Sequence, residues 1–312
     1  MRLALLAIAL ATVLAAQPKV LTPAGAAKPV GPYSPALDTG QYVYVSGQGV
    51  RDGAGAMPVG IDAQTRQCLT NVRASLEAAG LEFHHVVAAQ LYLDDMSNLP
   101  TVERLWAEIF GGALPPHITL GVIHLPTDTT IELTVVARRA TSDRVYLNAV
   151  YGRTRAEAEH NLTAALKKAG LARKHISIAN WYTTGTPAPR VIAVAALPDK
   201  AQWAVSAIAS KTKETSTVFC EVVSSGGSST VEQQTTEAFT ALKSCLTKHG
   251  ATLADVVATN VYLDDIANFS KMNGAYAAMF TGTFPTRTTI QAVPPAQAAG
   301  MAVRLSAVAE KH

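Results

Sequence analysis

Apolar residues recur at helical spacing over 64–79, 160–169 and 231–249, and each run stops at a glycine: Gly80, Gly170 or Gly250. The spacing predicts three helices, each closed by the residue that most easily takes a left-handed backbone just past a helix end. Segments rich in Val and Tyr, with alternating side chains, follow at 86–93, 176–183 and 256–263. They predict strands of a sheet buried on one face. Each unit then ends in two apolar runs: 118–124 with 130–137, 191–196 with 203–209, and 288–293 with 303–309. Prolines at Pro126, Pro198 and Pro294-Pro295 break the pairs, which predicts closing hairpins. A second helix is predicted between strand and hairpin at 99–110 and 269–280, whereas 184–189 is too short to hold one.

The recurrence is in register. Residues 80–117 align without a gap on 250–287, an offset of 170 that pairs Tyr92-Leu93-Asp94-Asp95 with Tyr262-Leu263-Asp264-Asp265 and Phe110 with Phe280. An offset of 90 pairs Asn71 with Asn161, Ala79-Gly80-Leu81 with Ala169-Gly170-Leu171, and Tyr92 with Tyr182. One motif therefore occurs three times, with boundaries at 23–140, 141–209 and 210–312. The middle copy, about 69 residues, is too small to bury a good core alone. No long Gly/Ser or Pro tract separates the copies, so the expectation is one body of three α+β units with sheet faces packed together.

Composition narrows the picture. Of 312 residues 48% are hydrophobic and 16% charged, with a net charge of +3, which excludes a disordered polyampholyte and a coiled coil. So small a cationic surplus argues for no nucleic-acid partner. Residues 1–16 open with Arg2 and continue as an apolar run ending in small residues. They read as a secretory signal peptide, hence a periplasmic or secreted protein with no membrane partner after cleavage. Cys68, Cys220 and Cys245 have no metal-ligand spacing and are read as free buried thiols, although a Cys220 to Cys245 bridge is conceivable in an exported chain. There is no phosphate loop, no G-x-S-x-G elbow and no zinc signature. His84, His85 and His117 lack metal spacing and read as surface or interface residues. Asp94-Asp95 and Asp264-Asp265 directly follow strands and are read as bonding turn amides.

Gly31-Pro32-Tyr33-Ser34, Val45-Ser46-Gly47-Gln48, the Ala-Gly-Leu helix stop, Tyr92-Leu93-Asp94-Asp95 and Thr130-Ile131-Glu132-Leu133 resemble the Rid family of reactive-intermediate deaminases, also called the YjgF family. The resemblance covers copy one and most of copy three and is fragmentary in copy two. It implies chorismate-mutase-like units, a mixed sheet with helices on one face. In this family such units assemble as homotrimers with ligand clefts between subunits. Three fused copies would form that trimer inside one chain, a pseudo-trimer that is itself a monomer. The implied activity is hydrolysis of 2-imino and 2-enamino acids to 2-oxo acids and ammonia, without a cofactor.

Carried over position by position, the resemblance places the carboxylate-binding arginine at Arg287 in copy three, at His117 in copy one and, with one residue deleted, at Arg190 in copy two. The acid is Glu132 in copy one, Ala204 in copy two and Arg304 in copy three, and the family tyrosine survives as Tyr33. Thr119 and Thr289 stand where a cysteine is common. A guanidinium suits a substrate carboxylate because it forms two parallel hydrogen bonds with it, and an acid is needed to protonate the enamine carbon. A closing hairpin would hold residues 117 and 132 roughly 17 Å apart within one copy at ~3.3 Å per residue. The expectation is therefore one composite cleft between copies, with Glu132 and Tyr33 catalytic and Arg287, Thr289 and Arg190 binding substrate. The alternative is a noncatalytic protein that binds a small carboxylate, or a structural fusion with vestigial clefts.

Overall fold

In the computed structural model, which describes residues 17–111, 114–186, 190–224, 230–293 and 302–311, the glycine-ended runs are helical. The helices are α1 (Ile61–Glu77), α2 (Leu99–Phe110), α3 (Arg155–Lys168), α4 (Val231–Lys248) and α5 (Phe269–Ala277). The leader at 1–16 and the Pro294-Pro295 turn lie outside the described residues. Gly80, Gly170 and Gly250 have φ of 66°, 69° and 70°. Beyond them the amides of Leu81, Leu171 and Ala251 donate back to the carbonyls of Leu76, Leu166 and Leu246 at 2.9, 2.8 and 3.0 Å. These bonds satisfy carbonyls that a helix end otherwise leaves unpaired. Thr154 and Thr230 cap α3 and α4 by accepting the amides of Glu157 and Gln233.

The strands form three sheets. The first holds β1 (Lys19–Leu21), β2 (Ala36–Asp38), β3 (Tyr42–Gln48), β4 (Val86–Leu93), β5 (His117–Gly121) and β6 (Ile131–Arg138), in the order β1-β2-β3-β6-β4-β5. The second holds β7 (Val145–Gly152), β8 (Ile176–Thr183), β9 (Val191–Ala193) and β10 (Trp203–Ala209), ordered β7-β10-β8-β9. The third holds β11 (Thr217–Ser224), β12 (Val256–Leu263), β13 (Thr286–Gln291) and β14 (Val303–Glu310), ordered β11-β14-β12-β13.

This order corrects the closing hairpins. β5 runs parallel to β4 at the sheet edge, and β6 inserts antiparallel between β3 and β4, so the two apolar runs are not neighbours. Apolar alternation marks both runs as strands and carries no information on which strand each pairs with.

Each sheet buries one face under its own helices. In the first, Cys68, Leu69, Val72 and Leu76 of α1 share a core with Val43, Val45, Leu133 and Val135; α3 covers the second sheet and α4 with α5 the third. A further correction concerns the thiols. Cys220 of β11 and Cys245 of α4 are joined in a disulfide with Cα atoms 6.1 Å apart, and only Cys68 is free. The 25-residue separation gives a loop whose closure restricts the unfolded chain by about 3 kcal/mol. Cys245→Ala is expected to lower the unfolding free energy by that order in denaturant titrations, and reductant should do the same to the parent protein.

The helix-free faces meet one another. Tyr92, Tyr182 and Tyr262, the residues matched by the two sequence offsets, are buried in one cluster with Leu120, Ile192 and Ile290, and the hydroxyls of Tyr182 and Tyr262 lie 3.5 Å apart. Backbone hydrogen bonds close a circuit around this cluster. Gly121 donates to Ala196 at 2.9 Å, Ile123 to Gln291 at 3.1 Å, and Val293 to Ala193 at 3.0 Å, so each sheet is tied to the other two. The buried Arg144 guanidinium adds a polar tie, reaching Glu214, the Tyr44 hydroxyl at 3.1 Å and the Thr217 hydroxyl at 2.8 Å. The small middle unit adds a share of this cluster to the core that α3 covers.

Candidate active site

The three motifs with the sharpest sequence signal are stitched together between the first and third sheets. Ser34, after Gly31-Pro32-Tyr33, donates its amide to the Pro285 carbonyl at 3.1 Å. The Ser46 hydroxyl donates to the Ser34 carbonyl at 2.7 Å and accepts the Arg287 amide at 2.8 Å. The loop before β2, the end of β3 and the start of β13 are thereby fixed relative to one another. The cavity they border, about 100 Å³, is lined by Tyr33, Gly47, Glu132, Phe269, Arg287 and Thr289 among others.

Arg287 is 4% exposed. Its guanidinium carbon lies 4.9 Å from the Tyr276 ring centroid, 5.2 Å from Tyr33 and 5.4 Å from Phe269, an aromatic enclosure that suits a cation but supplies no anion. Nη1 is buried without a hydrogen-bond partner, and so is the Thr289 hydroxyl two residues on. Buried donors left unpaired are costly unless a ligand completes them. Burial lowers the Arg287 pKa, against the opposing pull of Tyr276, Tyr33 and Glu132.

Glu132, on β6 opposite Tyr92 of β4, is 7% exposed. Desolvation pushes its carboxyl up to about 8, only partly countered by the charge of Arg287. It holds its proton at neutral pH and can donate it. Burial likewise raises the Tyr33 phenol. The carboxyl has room because its neighbour is glycine: a Cβ built on Gly47 would lie 1.8 Å from Glu132 Oε1.

Sheet registers locate the equivalent positions elsewhere. Glu132, Ala204 and Arg304 pair with Tyr92, Tyr182 and Tyr262 respectively, as the sequence alignment has them. Each sheet also carries a bulge at the same place, formed by Ser46-Gly47, Asn148-Ala149 or Glu221-Val222. At the junction of the first and second sheets Ala204 replaces the acid, and the Tyr151 hydroxyl accepts the Thr119 amide at 2.9 Å. His117 stacks on Trp106 with ring centroids 5.0 Å apart. In the third sheet Arg304 is buried with Nε and Nη2 unpartnered, and Val222 stands where Gly47 stands in the first.

Arg190 is not brought to the cavity. Val191 pairs with Trp181, the residue before Tyr182, just as Thr119 and Thr289 pair with Leu91 and Val261. Arg190 therefore stands one place later than His117 and Arg287, has φ of 65°, and reaches Glu221 at 3.1 Å on the surface. Asp95 and Asp265 accept the amides of Ser97 and Ala267 in the turns after β4 and β12. Sequence reasoning quoted Ser46 and Gly47 without giving them roles, and missed the enclosing rings of Phe269 and Tyr276.

Comparison with known proteins decides the family. The family model described as Endoribonuclease L-PSP matches residues 24–139 and 222–311. This chain belongs to that family. A RutC family protein of Pyrococcus horikoshii is 36% identical over 121 residues, 38% of this chain and 96% of its own length. The 2-iminobutanoate/2-iminopropanoate deaminase of Mus musculus is 33% identical over 121 residues, 38% of this chain and 90% of its own. The solved structure of the YjgF gene product of E. coli has a TM-score of 0.37 at 31% identity, covering 39% of this chain and 99% of that one. The chain is thus a Rid family protein with tandem repeats, and the family match falls on the first and third of them, whose residues border the cavity.

Proposed function

We propose that the cavity between the first and third sheets hydrolyses 2-imino and 2-enamino acids to 2-oxo acids and ammonia. The observation that supports this best is the pairing, in one small cavity, of an unsatisfied buried guanidinium with a buried acid that keeps its proton at neutral pH. The deaminases among the relatives support the reaction class.

In this reading Arg287 and the Thr289 hydroxyl hold the substrate carboxylate, and Tyr33 closes the cavity over it. For an enamine, Glu132 gives its proton to the terminal carbon as the C=C pair forms the C–H bond, leaving an iminium and a carboxylate. The carboxylate then takes a proton from water as the oxygen attacks the iminium carbon. Collapse of the resulting carbinolamine expels ammonia, and one water is consumed for each 2-oxo acid formed. An imine takes the same Glu132 proton on its nitrogen, which gives the iminium and the carboxylate, and continues from the second stage.

The three repeats then act as an intramolecular pseudo-trimer, a single chain doing what three separate copies would do. The shared tyrosine cluster and the backbone circuit support that arrangement. Export belongs to the same proposal, and the Cys220 to Cys245 disulfide supports an oxidising compartment.

The test is ammonia release from imines generated in situ by an amino-acid oxidase. Turnover well above the uncatalysed rate is expected, and its absence from a folded protein would favour the ligand-binding alternative. Gly47→Ala makes the assay specific. Val222 at the equivalent bulge indicates that the backbone accepts a side chain there, so the variant should fold with a melting temperature within a few degrees of the parent. Its Cβ displaces the Glu132 carboxyl, and turnover is expected to fall at least about tenfold.

A further inference from the structure

We infer that the cleft is built for imines that carry a second carboxylate, those derived from the acidic amino acids, with Arg51 and Lys28 receiving the distal group. The inference rests on the deaminase reading of the same cleft and names its substrate class.

Among the described residues lining the cavity are three basic side chains, Arg287, Arg51 and Lys28, and a single acid, Glu132. Even with Glu132 ionised, two positive charges stay unmatched. A monocarboxylate cancels one of them and a dicarboxylate both. A concave wall of one sign also concentrates ligands of the other.

Arg51 is held in place without being neutralised. Its Nη1 donates to the Gly55 carbonyl at 3.0 Å and its Nη2 to the Thr127 carbonyl at 3.1 Å, both uncharged acceptors. Asn71 anchors the same loop, donating to the carbonyls of Gly49 and Arg51 at 3.0 and 2.9 Å. A guanidinium fixed by neutral carbonyls is pre-organised for an anion and keeps its remaining N–H groups for it. Lys28 forms no ion pair among the described residues and lies three residues before Gly31, where a Cβ would be 2.6 Å from Arg287 Nη2. Three residues of chain span at most about 10 Å. Arg51 lies four residues beyond Gly47, against which the Glu132 carboxyl rests. Both distal cations line the same cavity as Glu132 and Arg287, and the short chain separations keep their backbones within about 14 Å of Gly31 or Gly47.

The experiment compares kcat/KM for ammonia release from the imines of glutamate and of alanine, each generated in situ by its oxidase. The parent protein is expected to favour the dicarboxylic imine at least tenfold, and Arg51→Gln combined with Lys28→Gln to bring that ratio close to one. A parent ratio of one or less, or a ratio the double variant leaves unmoved, overturns the inference while the deaminase reading stands. If no imine is turned over, the deaminase reading fails, and calorimetric titration with 2-oxoglutarate and 2-oxobutanoate decides the ligand class. Tighter binding of 2-oxoglutarate, lost in the double variant, upholds the distal carboxylate site alone; equal or undetectable binding overturns that too.

Discussion

Arg287→Ala is expected to lower kcat/KM for imine hydrolysis by about two to three orders of magnitude. The guanidinium is buried in the cavity with Nη1 unpartnered, and losing a charge-assisted pair in such a setting costs about 3–4 kcal/mol. Lysine should not restore the rate. A point charge on a flexible stem neither forms two parallel hydrogen bonds to a carboxylate nor lies flat among the rings of Tyr33, Phe269 and Tyr276. Stability should respond in the opposite sense from function, or hardly at all. Arg287 forms no ion pair among the described residues to offset its desolvation, so alanine removes a cost along with the ring contacts it provided. Steady-state kinetics beside a thermal melt separate the two effects, and a variant that keeps near-parental kcat/KM would remove the central support of the proposed chemistry.

Glu132→Gln tests the acid through two independent readouts. Turnover should fall by about two to four orders of magnitude, the range a positioned general acid contributes. In the parent, kcat/KM should decline as pH rises through about 8, where the carboxyl loses the proton it donates. Stability follows from the same shift. Between the ordinary value of 4.5 and about 8 the unfolded chain has released this proton while the folded chain still holds it, so unfolding releases a proton and stability drops as pH rises. The slope is at most about 1.4 kcal/mol per pH unit, and glutamine abolishes it. At pH 8 the variant should therefore be more stable than the parent, by roughly 3 kcal/mol after allowance for relaxation around the carboxylate. Denaturant titrations at pH 5 and pH 8 check the sign, and a parent that is more stable at pH 8 would contradict it.

Much of the fold was legible because each repeat punctuates its elements with strong local signals. Strands β4, β8 and β12 and helix α2 fall on the predicted residues, and the glycine stops take the left-handed backbone asked of them. Strand partners were not legible. The runs at 118–124 and 130–137 look like two arms of a hairpin, yet β4 lies between β5 and β6, because alternation encodes burial and leaves pairing open. Glu132 and residue 117 still stand far apart, about 10 Å along β4 and about 10 Å across it, so a site between repeats remains the economical solution for a changed reason. Arg190 misled for a related cause. Placing Arg190 at the Arg287 position takes a one-residue deletion that an alignment tolerates and a sheet register does not, because a slip of one turns a side chain to the other face. Cys220 and Cys245 lie far apart in sequence, and only packing α4 on β11 brings them together. Gly47 was visible as part of a motif, but its meaning is the volume it leaves for a carboxyl contributed from 85 positions further along the chain.

Covalent fusion changes how the three equivalent positions can vary. In an assembly of identical subunits every substitution is written into all the junctions at once, and a change that closes one closes every one. Here the position opposite the central tyrosine holds glutamate, alanine and arginine in turn, and the bulge beside it holds glycine, alanine and valine. Each junction has its own genetic address. At one junction the Tyr151 hydroxyl accepts the Thr119 amide, at another Arg190 reaches Glu221, and at the third Glu132 and Arg287 line a common cavity. Repetition of the backbone thus coexists with side chains that differ from junction to junction, a variety that a homomeric ring could not inherit.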